Sequence, residues 1–238
     1  MKTFNSKAET NLEEEKKDLL KSFKPEEIAD NFPLFITRQE LIRYLARYEL
    51  FKKIAEVKGS IVECGVYKGS SLMFFAKLSA AYEPYAFNRE IIGFDTFSGF
   101  PEVNNKDGAY AHKGDLADVN LQTIEKSIKL YDKNRPIGHV AKLKLVKGDA
   151  NETIPKYFKE NPAVLVALLY LDFDIYEPTK SALKTILPRM PKGAIVALDE
   201  LNDSRRQGET VALLETLNIN KYEIKKFPEE PHISYIVL

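Results

Sequence analysis

Carboxylates gather at the ends of two predicted strands of this 238-residue chain. Leu171-Asp172-Phe173-Asp174 closes the most apolar run of the sequence, and Leu198-Asp199-Glu200 closes the next strand-like run. Ligands of an open parallel sheet bind beyond the carboxyl ends of its strands. Neighbouring strands lie about 4.8 Å apart, so we expect these acids to converge on one small volume. Such carboxylates repel one another unless a cation or a proton shares the site.

An oxygen-only donor set with neither Cys nor His favours a hard ion such as Mg²⁺. Such an ion lowers the pKa of a hydroxyl group and orients its oxygen, while a neighbouring carboxylate takes the proton. We predict Asp172, Asp199 and Glu200 as metal ligands, with Asp172 also the catalytic base. Asp174 has two interpretations: a further acid of the site, or a cap for the helix that starts near Pro178.

A glycine-containing loop joins the first predicted strand to the first helix after it. Glycines allow a tight turn and the close approach of a ligand, and a helix N-terminus offers N–H groups to a carboxylate or phosphate. The loop lacks the G-x-G-x-x-G spacing of a dinucleotide site, which favours an adenosyl-amino acid over NAD. The predicted cofactor contacts are Glu63, Gly65, Tyr67, Ser70, Ser71, Asp95, Thr96, Asp149 and Ala150.

Two aspartates of this set end strands and have alternative interpretations. Asp95 could accept hydrogen bonds from both ribose hydroxyls, or it could be a turn residue. Asp149 could reach the adenine edge, or it could cap the helix that follows it. Cys64, the one cysteine of the chain, is predicted as a small buried filler rather than a reactive thiol.

Strand-like and helix-like segments alternate from about residue 59 onward, which predicts an α/β fold with a mainly parallel sheet. The last two strand-like segments flank a Pro-rich turn and predict a hairpin. Thr37 and Glu40 have the spacing of a capping box. The predicted strands are Ser60–Cys64, Glu90–Asp95, Leu143–Val146, Val164–Leu171, Ala194–Leu198, Lys221–Phe227 and His232–Leu238, and the predicted helices include Thr37–Val57, Gly69–Tyr82, Leu121–Tyr131 and Glu177–Leu187.

Length and composition favour one domain preceded by an extension. Residues 1–57 are predicted as an N-terminal helical extension that could serve as a lid or a homodimer contact, and residues 58–238 as the catalytic domain. The net charge of zero favours neither nucleic acid nor an acidic membrane surface as a partner. A single cysteine fits a reducing compartment. With neither a signal-peptide core nor an apolar span in the sequence, we expect a cytoplasmic protein.

Three segments, in order, resemble the macrocin O-methyltransferase family: Ile61–Ser71, Gly93–Pro101 and Leu171–Thr179. The resemblance extends from about Tyr48 to Glu209. It implies a Rossmann-like class I methyltransferase fold with a seven-stranded sheet, S-adenosylmethionine and Mg²⁺ as cofactors, and a sugar or glycosylated small molecule as acceptor in natural-product biosynthesis. By position, Asp172 matches the family's metal-binding base, and Asp199 and Glu200 match its paired metal acids.

The chain departs from the family in ways that leave the acceptor open. The family carries two aspartates where this chain has Asp199-Glu200, and Gly208–Ala212 also differs. A catechol or phenol is the alternative acceptor, and a non-catalytic binding protein is the alternative from another class. An NAD-dependent oxidoreductase would leave the acids unexplained. Residues 102–118 are predicted as a mobile active-site cover, in which His112 is a second base, a substrate contact or an ordinary loop histidine.

Overall fold

The computed structural model describes residues 7–238, and helices and strands alternate along most of this range. The strands are β1 (Ser60–Cys64), β2 (Ile91–Asp95), β3 (Leu143–Lys147), β4 (Val166–Leu171), β5 (Ile195–Leu198), β6 (Ile224–Lys226) and β7 (Ser234–Val237). The α-helices are α1 (Lys7–Leu20), α2 (Pro25–Asp30), α3 (Arg38–Ile54), α4 (Ser70–Tyr82), α5 (Leu121–Lys133), α6 (Ala150–Glu160), α7 (Tyr176–Ile186) and α8 (Gly208–Thr216). Short 3₁₀ turns occupy Phe32–Leu34, Leu187–Arg189 and Ile219–Lys221.

The seven strands form one sheet in the order β3-β2-β1-β4-β5-β7-β6. Strands β1 to β5 are parallel to one another, whereas β7 runs antiparallel to both β5 and β6. The predicted mainly parallel sheet ending in an antiparallel hairpin is confirmed. The strand order reverses between β1 and β4, and ligands of open α/β sheets bind at such a switch point.

Alternate side chains of the central strands enter two hydrophobic cores on opposite faces of the sheet, as the two-residue period of a strand requires, whereas β6 is exposed. On one face Val62 and Leu169 pack with the apolar sides of α6, α7 and α8. On the other face Ile61 and Leu168 pack with α4, α5 and the last turns of α3. Each fully buried Leu, Ile or Phe in these cores stabilises the fold by about 1.5–3 kcal/mol. The buried Cys64 belongs to the first core, as predicted.

The chain divides into two compact units between Arg43 and Tyr44, inside α3. In the N-terminal unit, Lys16 Nζ lies 2.6 Å from a Glu40 carboxylate oxygen, and the rings of Phe23 and Phe35 meet edge to face. The capping box is confirmed, since Glu40 accepts from Thr37 N and Thr37 Oγ1 accepts from Glu40 N. Residues 1–6 of the predicted extension lie outside the described residues, and its roles as lid or dimer contact stay predictions.

Several predicted boundaries were wrong by a few residues. The predicted strand at 164–171 begins two residues early, because Val164 and Leu165 precede β4. The predicted strand at 221–227 shrinks to β6, since a 3₁₀ turn occupies its start. Helix α8 was not predicted, because Gly208 and the polar residues before it indicate a loop. No helix within residues 7–238 has the length and apolarity to cross a membrane.

Candidate functional site

The structure brings together the acids at the ends of β4 and β5. These strands are neighbours, with Leu171 paired to Leu198, and Asp199 N continues the ladder by donating to Leu171 O over 3.0 Å. Asp172 and Asp199 therefore follow paired positions on adjacent strands. The expected convergence of Asp172, Asp199 and Glu200 at one edge of the sheet is present, while their roles as ligands and base stay predictions.

The electrostatics of this cluster show strong mutual repulsion. Burial, and then repulsion from Asp199, Asp174 and Glu209, holds the pKa of Asp172 well above its usual range, and Arg47 opposes the shift only in part. Burial, followed by repulsion from Asp174 and Asp199, raises the pKa of Glu200 to about 7. Carboxyl groups in this state hold protons near neutral pH unless a cation neutralises them.

Two of the acids have protein partners of their own. Asp199 Oδ1 accepts a hydrogen bond from the Tyr170 hydroxyl at 2.8 Å. Asp174, whose backbone has a positive φ of 62°, forms an ion pair with Arg206. It does not cap α7, because the N-cap position of that helix is Ile175. The interpretation of Asp174 as a helix cap was therefore wrong, and its carboxylate belongs to the acidic cluster.

Within the described residues 7–238, no group of three or more His, Cys, Asp or Glu side chains is arranged to hold a metal ion. The donor chemistry nevertheless fits a hard divalent cation. The cluster offers several carboxylate oxygens, and the buried Glu200 Oε2 has no hydrogen-bond partner in the described part of the chain. These oxygens are the ligands that Mg²⁺ prefers.

Glu209 is the main residue of this site that the sequence did not identify. Its fully buried carboxylate, on α8, accepts from the N–H groups of Phe173 and Asp174 through Oε1 and of Glu200 through Oε2. Burial and repulsion from the neighbouring acids raise the pKa of Glu209 well above its usual range. The sequence signal that could have identified Glu209 is its spacing: it lies three residues before Ala212 and four before Leu213, which places an acid on the apolar face of a helix.

The predicted cofactor loop lies beside this acidic cluster. Gly65 has a positive φ of 95°, and a Cβ atom at this position would overlap the carbonyl oxygen of Asp172. Asp95 stabilises the loop, because its Oδ2 accepts from the N–H groups of both Val66 and Tyr67 at 2.8 Å. Its Oδ1 accepts from Phe97 N at 2.6 Å. Asp95 thus has a structural role as a turn residue, and its contact with ribose stays a prediction.

Glu63 lies in the strand that leads into the loop, and its carboxylate makes few hydrogen bonds in the described part of the chain. It is buried in β1, and neither its carboxylate oxygens nor the Ser71 hydroxyl meets a hydrogen-bond partner in good geometry within residues 7–238. Burial raises the pKa of Glu63 to about 8, although Arg47, Ser71 and the Leu72 N–H partly oppose the shift. Ser70, at the start of α4, instead exchanges a 2.7 Å hydrogen bond with the Tyr44 hydroxyl.

Three other predicted cofactor residues form local structure. Thr96 Oγ1 donates to Gly99 O at 2.7 Å and so closes the turn after β2. Asp149 is the N-cap of α6 and accepts from Asn151 N at 2.9 Å, so the capping interpretation is confirmed. Ala150 begins that helix and packs in the core. Contacts of Thr96, Asp149 and Ala150 with a cofactor stay predictions.

The loop at 102–118 is attached at both ends. Near its start, the buried Asp107 accepts from Tyr176 N at 2.5 Å and from Asn104 N at 2.6 Å. At its end, Asp118 accepts from the Tyr67 hydroxyl at 2.7 Å and from Lys68 Nζ at 2.6 Å. The loop therefore connects the start of α7 to the predicted cofactor loop, and its mobility stays a prediction.

His112 lies at the exposed side of this loop. Its side chain is 69% exposed, and Nδ1 lies 3.6 Å from Asp115 of the same loop. The structure thus supports the interpretation of His112 as an ordinary loop histidine, and the acids at the strand ends remain the candidates for proton transfer.

A seven-stranded sheet with an antiparallel β7, together with a glycine loop after β1, defines the class I methyltransferase fold. A family model described as Macrocin-O-methyltransferase (TylF) matches residues 17–216. The chain belongs to this family.

Curated relatives match part of the chain. The 8-demethyl-8-(2,3-dimethoxy-alpha-L-rhamnosyl)-tetracenomycin-C 4'-O-methyltransferase of Streptomyces olivaceus is 29% identical over 155 residues, which cover 60% of this chain and 53% of the relative. The mycinamicin III 3''-O-methyltransferase of Micromonospora griseorubida is 26% identical over 148 residues, which cover 60% and 56%. The matched region therefore spans about half the length of these curated relatives.

Two solved structures match almost the entire chain. The calicheamicin methyltransferase CalS11 has a TM-score of 0.93 and 36% identity, with 99% of this chain and 94% of that chain covered. Apo CalS11, described as a TDP-rhamnose 3'-O-methyltransferase of calicheamicin biosynthesis, has a TM-score of 0.86 and 33% identity, with 99% and 96% covered. The O-methyltransferase NovP, at 18% identity and a TM-score of 0.63 over 82% of this chain and 78% of that one, shares the fold.

Proposed function

We propose that this protein is an S-adenosylmethionine-dependent O-methyltransferase that methylates a hydroxyl group of a sugar or glycosylated small molecule, assisted by Mg²⁺. The observation that carries the proposal is the direct contact between the two predicted halves of the site. Gly65 of the cofactor loop lies against the Asp172 backbone, and Asp172 N donates to Cys64 O over 2.8 Å. A donor on the loop and an acceptor at the acids would therefore be neighbours.

The residues around the loop fit the amino-acid end of the donor. An ammonium group would supply a hydrogen bond in good geometry, which the buried Glu63 carboxylate does not make within residues 7–238. Helix α4 begins at Ser70, and the first N–H groups of a helix have no intrahelical partner, so they suit a carboxylate. Asp95 holds the Val66 and Tyr67 N–H groups in place and remains the candidate for the ribose hydroxyls.

The acidic cluster supplies the groups needed at the acceptor. Asp172, Asp199 and Glu200 would hold Mg²⁺, and the ion when bound would lower the pKa of the acceptor hydroxyl and orient its oxygen. Asp172 would take the proton from that hydroxyl, because its backbone lies against the cofactor loop. Loss of the proton leaves an anionic oxygen nucleophile, which then needs only in-line approach to the donor methyl group. The new oxygen–carbon bond forms as the methyl–sulfur bond breaks, and S-adenosylhomocysteine is the leaving group.

The names of the relatives support a sugar as the acceptor. The curated relatives from Streptomyces olivaceus and Micromonospora griseorubida are named for glycosylated natural products, and apo CalS11 is described as acting on TDP-rhamnose. We therefore propose a sugar hydroxyl, either on a nucleotide sugar or on a glycoside. A catechol acceptor and a non-catalytic protein are outcomes that the experiment separates.

The first test is calorimetric titration of the purified protein and its Asp95→Ala variant with S-adenosylhomocysteine. We expect saturable binding that the variant loses, because Asp95 holds the loop. The second test incubates the protein with S-adenosylmethionine, Mg²⁺ and one acceptor at a time: TDP-rhamnose, a simple rhamnoside or a catechol. Mass spectrometry should show one added methyl group on a sugar, abolished by a chelator.

Each contrary outcome has a distinct meaning. Binding of NAD in place of S-adenosylhomocysteine would overturn the methyltransferase proposal. Methylation of the catechol alone would show that the acceptor is a phenol rather than a sugar. Activity that a chelator does not affect would contradict the proposed role of Mg²⁺. Binding of the cofactor without methylation of any acceptor would favour a binding protein.

A further inference from the structure

The carboxylate of Glu209 joins the two strand ends that carry the acidic cluster. Oε1 accepts from Phe173 N at 3.0 Å and from Asp174 N at 3.2 Å, both in the segment that follows β4. Oε2 accepts from Glu200 N at 3.2 Å, in the segment that follows β5. One side chain therefore binds the backbone on both sides of the cluster.

Helix α8 holds this carboxylate in a defined place. Its second residue, Glu209, is fully buried, and Ala212 and Leu213 of the same face pack in the core. The start of the helix is also tightly packed, because a Cβ atom on Gly208 would lie 2.6 Å from Tyr176 N and 2.8 Å from Asp107 Oδ1. Packing of α8 therefore helps to fix the position of Glu209.

Burying a carboxylate is costly unless its hydrogen bonds compensate for lost water. The neighbouring carboxylates of Asp174 and Asp199 add electrostatic repulsion to this cost. An apolar residue or a glutamine at this position would avoid the repulsion. An acid at position 209 is explained if both of its oxygens must accept N–H groups at the same time.

We propose that Glu209 is a positioning residue for the acidic cluster: its two oxygens fix the backbones after β4 and β5 relative to each other, and so set the separation of Asp172 from Asp199 and Glu200. The inference rests on the proposed function, in which these three acids hold a divalent cation. Glu209 itself neither ligates the ion nor contacts substrate.

The Glu209→Gln variant tests the two-sided contact at almost constant volume. Its amide has one carbonyl oxygen, so whichever way it is turned, its NH₂ group faces a backbone N–H on one of the two segments. One strand end is then released while the other stays bound. Glu125→Gln is the matched control, since Glu125 is an exposed glutamate on α5.

The measurements are made on the full purified chain, with Mn²⁺ as the paramagnetic probe of the metal site. Electron paramagnetic resonance gives the Mn²⁺ affinity, calorimetry gives the S-adenosylhomocysteine affinity, and thermal unfolding shows that the variant is folded. Loss of a residue that orients metal ligands weakens metal binding roughly 10- to 100-fold. We expect this loss in Glu209→Gln, with unchanged affinity for S-adenosylhomocysteine, and no change in Glu125→Gln.

The outcomes distinguish this inference from the proposed function. If the wild type binds S-adenosylhomocysteine and Mn²⁺ and Glu209→Gln binds Mn²⁺ equally well, the positioning role is wrong and the proposed function stands. If Glu209→Gln loses both affinities together, Glu209 is a general structural residue. If the wild type binds S-adenosylhomocysteine but not Mn²⁺, the metal assignment fails, and this inference fails with it.

Discussion

Tyr170 donates its hydroxyl hydrogen to Asp199 Oδ1 over 2.8 Å, and both side chains are buried. Tyr170 belongs to β4 and Asp199 follows β5, so the bond crosses between the two strands that carry the acids. The Arg47 guanidinium lies 5.3 Å from the centre of the Tyr170 ring. One oxygen of Asp199 is therefore oriented by a side chain of the neighbouring strand.

The Tyr170→Phe substitution should destabilise the protein by about 1–3 kcal/mol, because it removes a buried hydrogen bond to a charged group. Urea denaturation of both proteins measures this loss. Tyr157→Phe is the matched control: the buried Tyr157 hydroxyl makes no hydrogen bond in good geometry within residues 7–238, although Lys144 lies near it. Equal losses of unfolding free energy in the two variants would show that the Tyr170–Asp199 hydrogen bond makes no net contribution to stability.

Cofactor binding should release a proton from Glu63. Burial raises the pKa of Glu63 to about 8, so the free protein holds this carboxyl group protonated at pH 7. An ammonium ligand favours the ionised form, and the affinity for S-adenosylhomocysteine should then rise by up to about tenfold per pH unit below the raised pKa and level off above it. The affinity rises with pH because ionising Glu63 costs less free energy as the pH approaches its raised pKa.

Calorimetry in buffers of different ionisation enthalpy counts the released protons. Glu63→Gln keeps the side-chain volume but has no proton to release, so its binding enthalpy should be independent of the buffer. A wild type whose enthalpy is equally independent of the buffer at pH 7 would contradict a direct contact between Glu63 and the ligand ammonium.

Asp149 should have two separable roles. Its side chain caps α6 through Asn151 N, and we predict that it also contacts the cofactor. Asp149→Ala should destabilise the protein by about 1 kcal/mol, whereas Asp149→Ser should restore most of this loss, because serine is an equally good N-cap. A cofactor contact predicts weaker S-adenosylhomocysteine binding in both variants. If the affinity recovers with serine, Asp149 is a cap and nothing more.

The anchor at Asp107 should control the opening of the 102–118 loop. Asp107→Ala leaves the buried Tyr176 N–H without its acceptor, at a cost of about 1–3 kcal/mol. Trypsin should then cleave after Lys106 or Lys113 roughly tenfold faster, because local opening governs proteolysis. Asp118→Ala should have a smaller effect, since its ion pair with Lys68 is exposed. A larger effect from Asp118→Ala would place the main anchor at the other end.

Much of the fold could be predicted from the sequence, because the signals are local. Apolar runs such as Ser60–Cys64 and Val164–Leu171 have the length of buried strands, and the Pro-rich turn at 227–231 marks the final hairpin. Asp172 follows one such run and Asp199 follows another, so both must lie at the same edge of a parallel sheet. The capping role of Asp149 was also available from its position before a helix.

Only the tertiary structure decided which side chains meet across elements. Glu209 lies in α8, a helix that the sequence pattern did not predict. Its hydrogen-bond partners Phe173, Asp174 and Glu200 come from two other segments. The pairing of Asp174 with Arg206 replaced a predicted helix cap for the same reason. Periodicity reports which face of an element is apolar, whereas a hydrogen bond between distant segments depends on how helices pack across the sheet. The sequence by itself determined the class of fold and the edge that carries the site, and packing decided how its carboxylates are held.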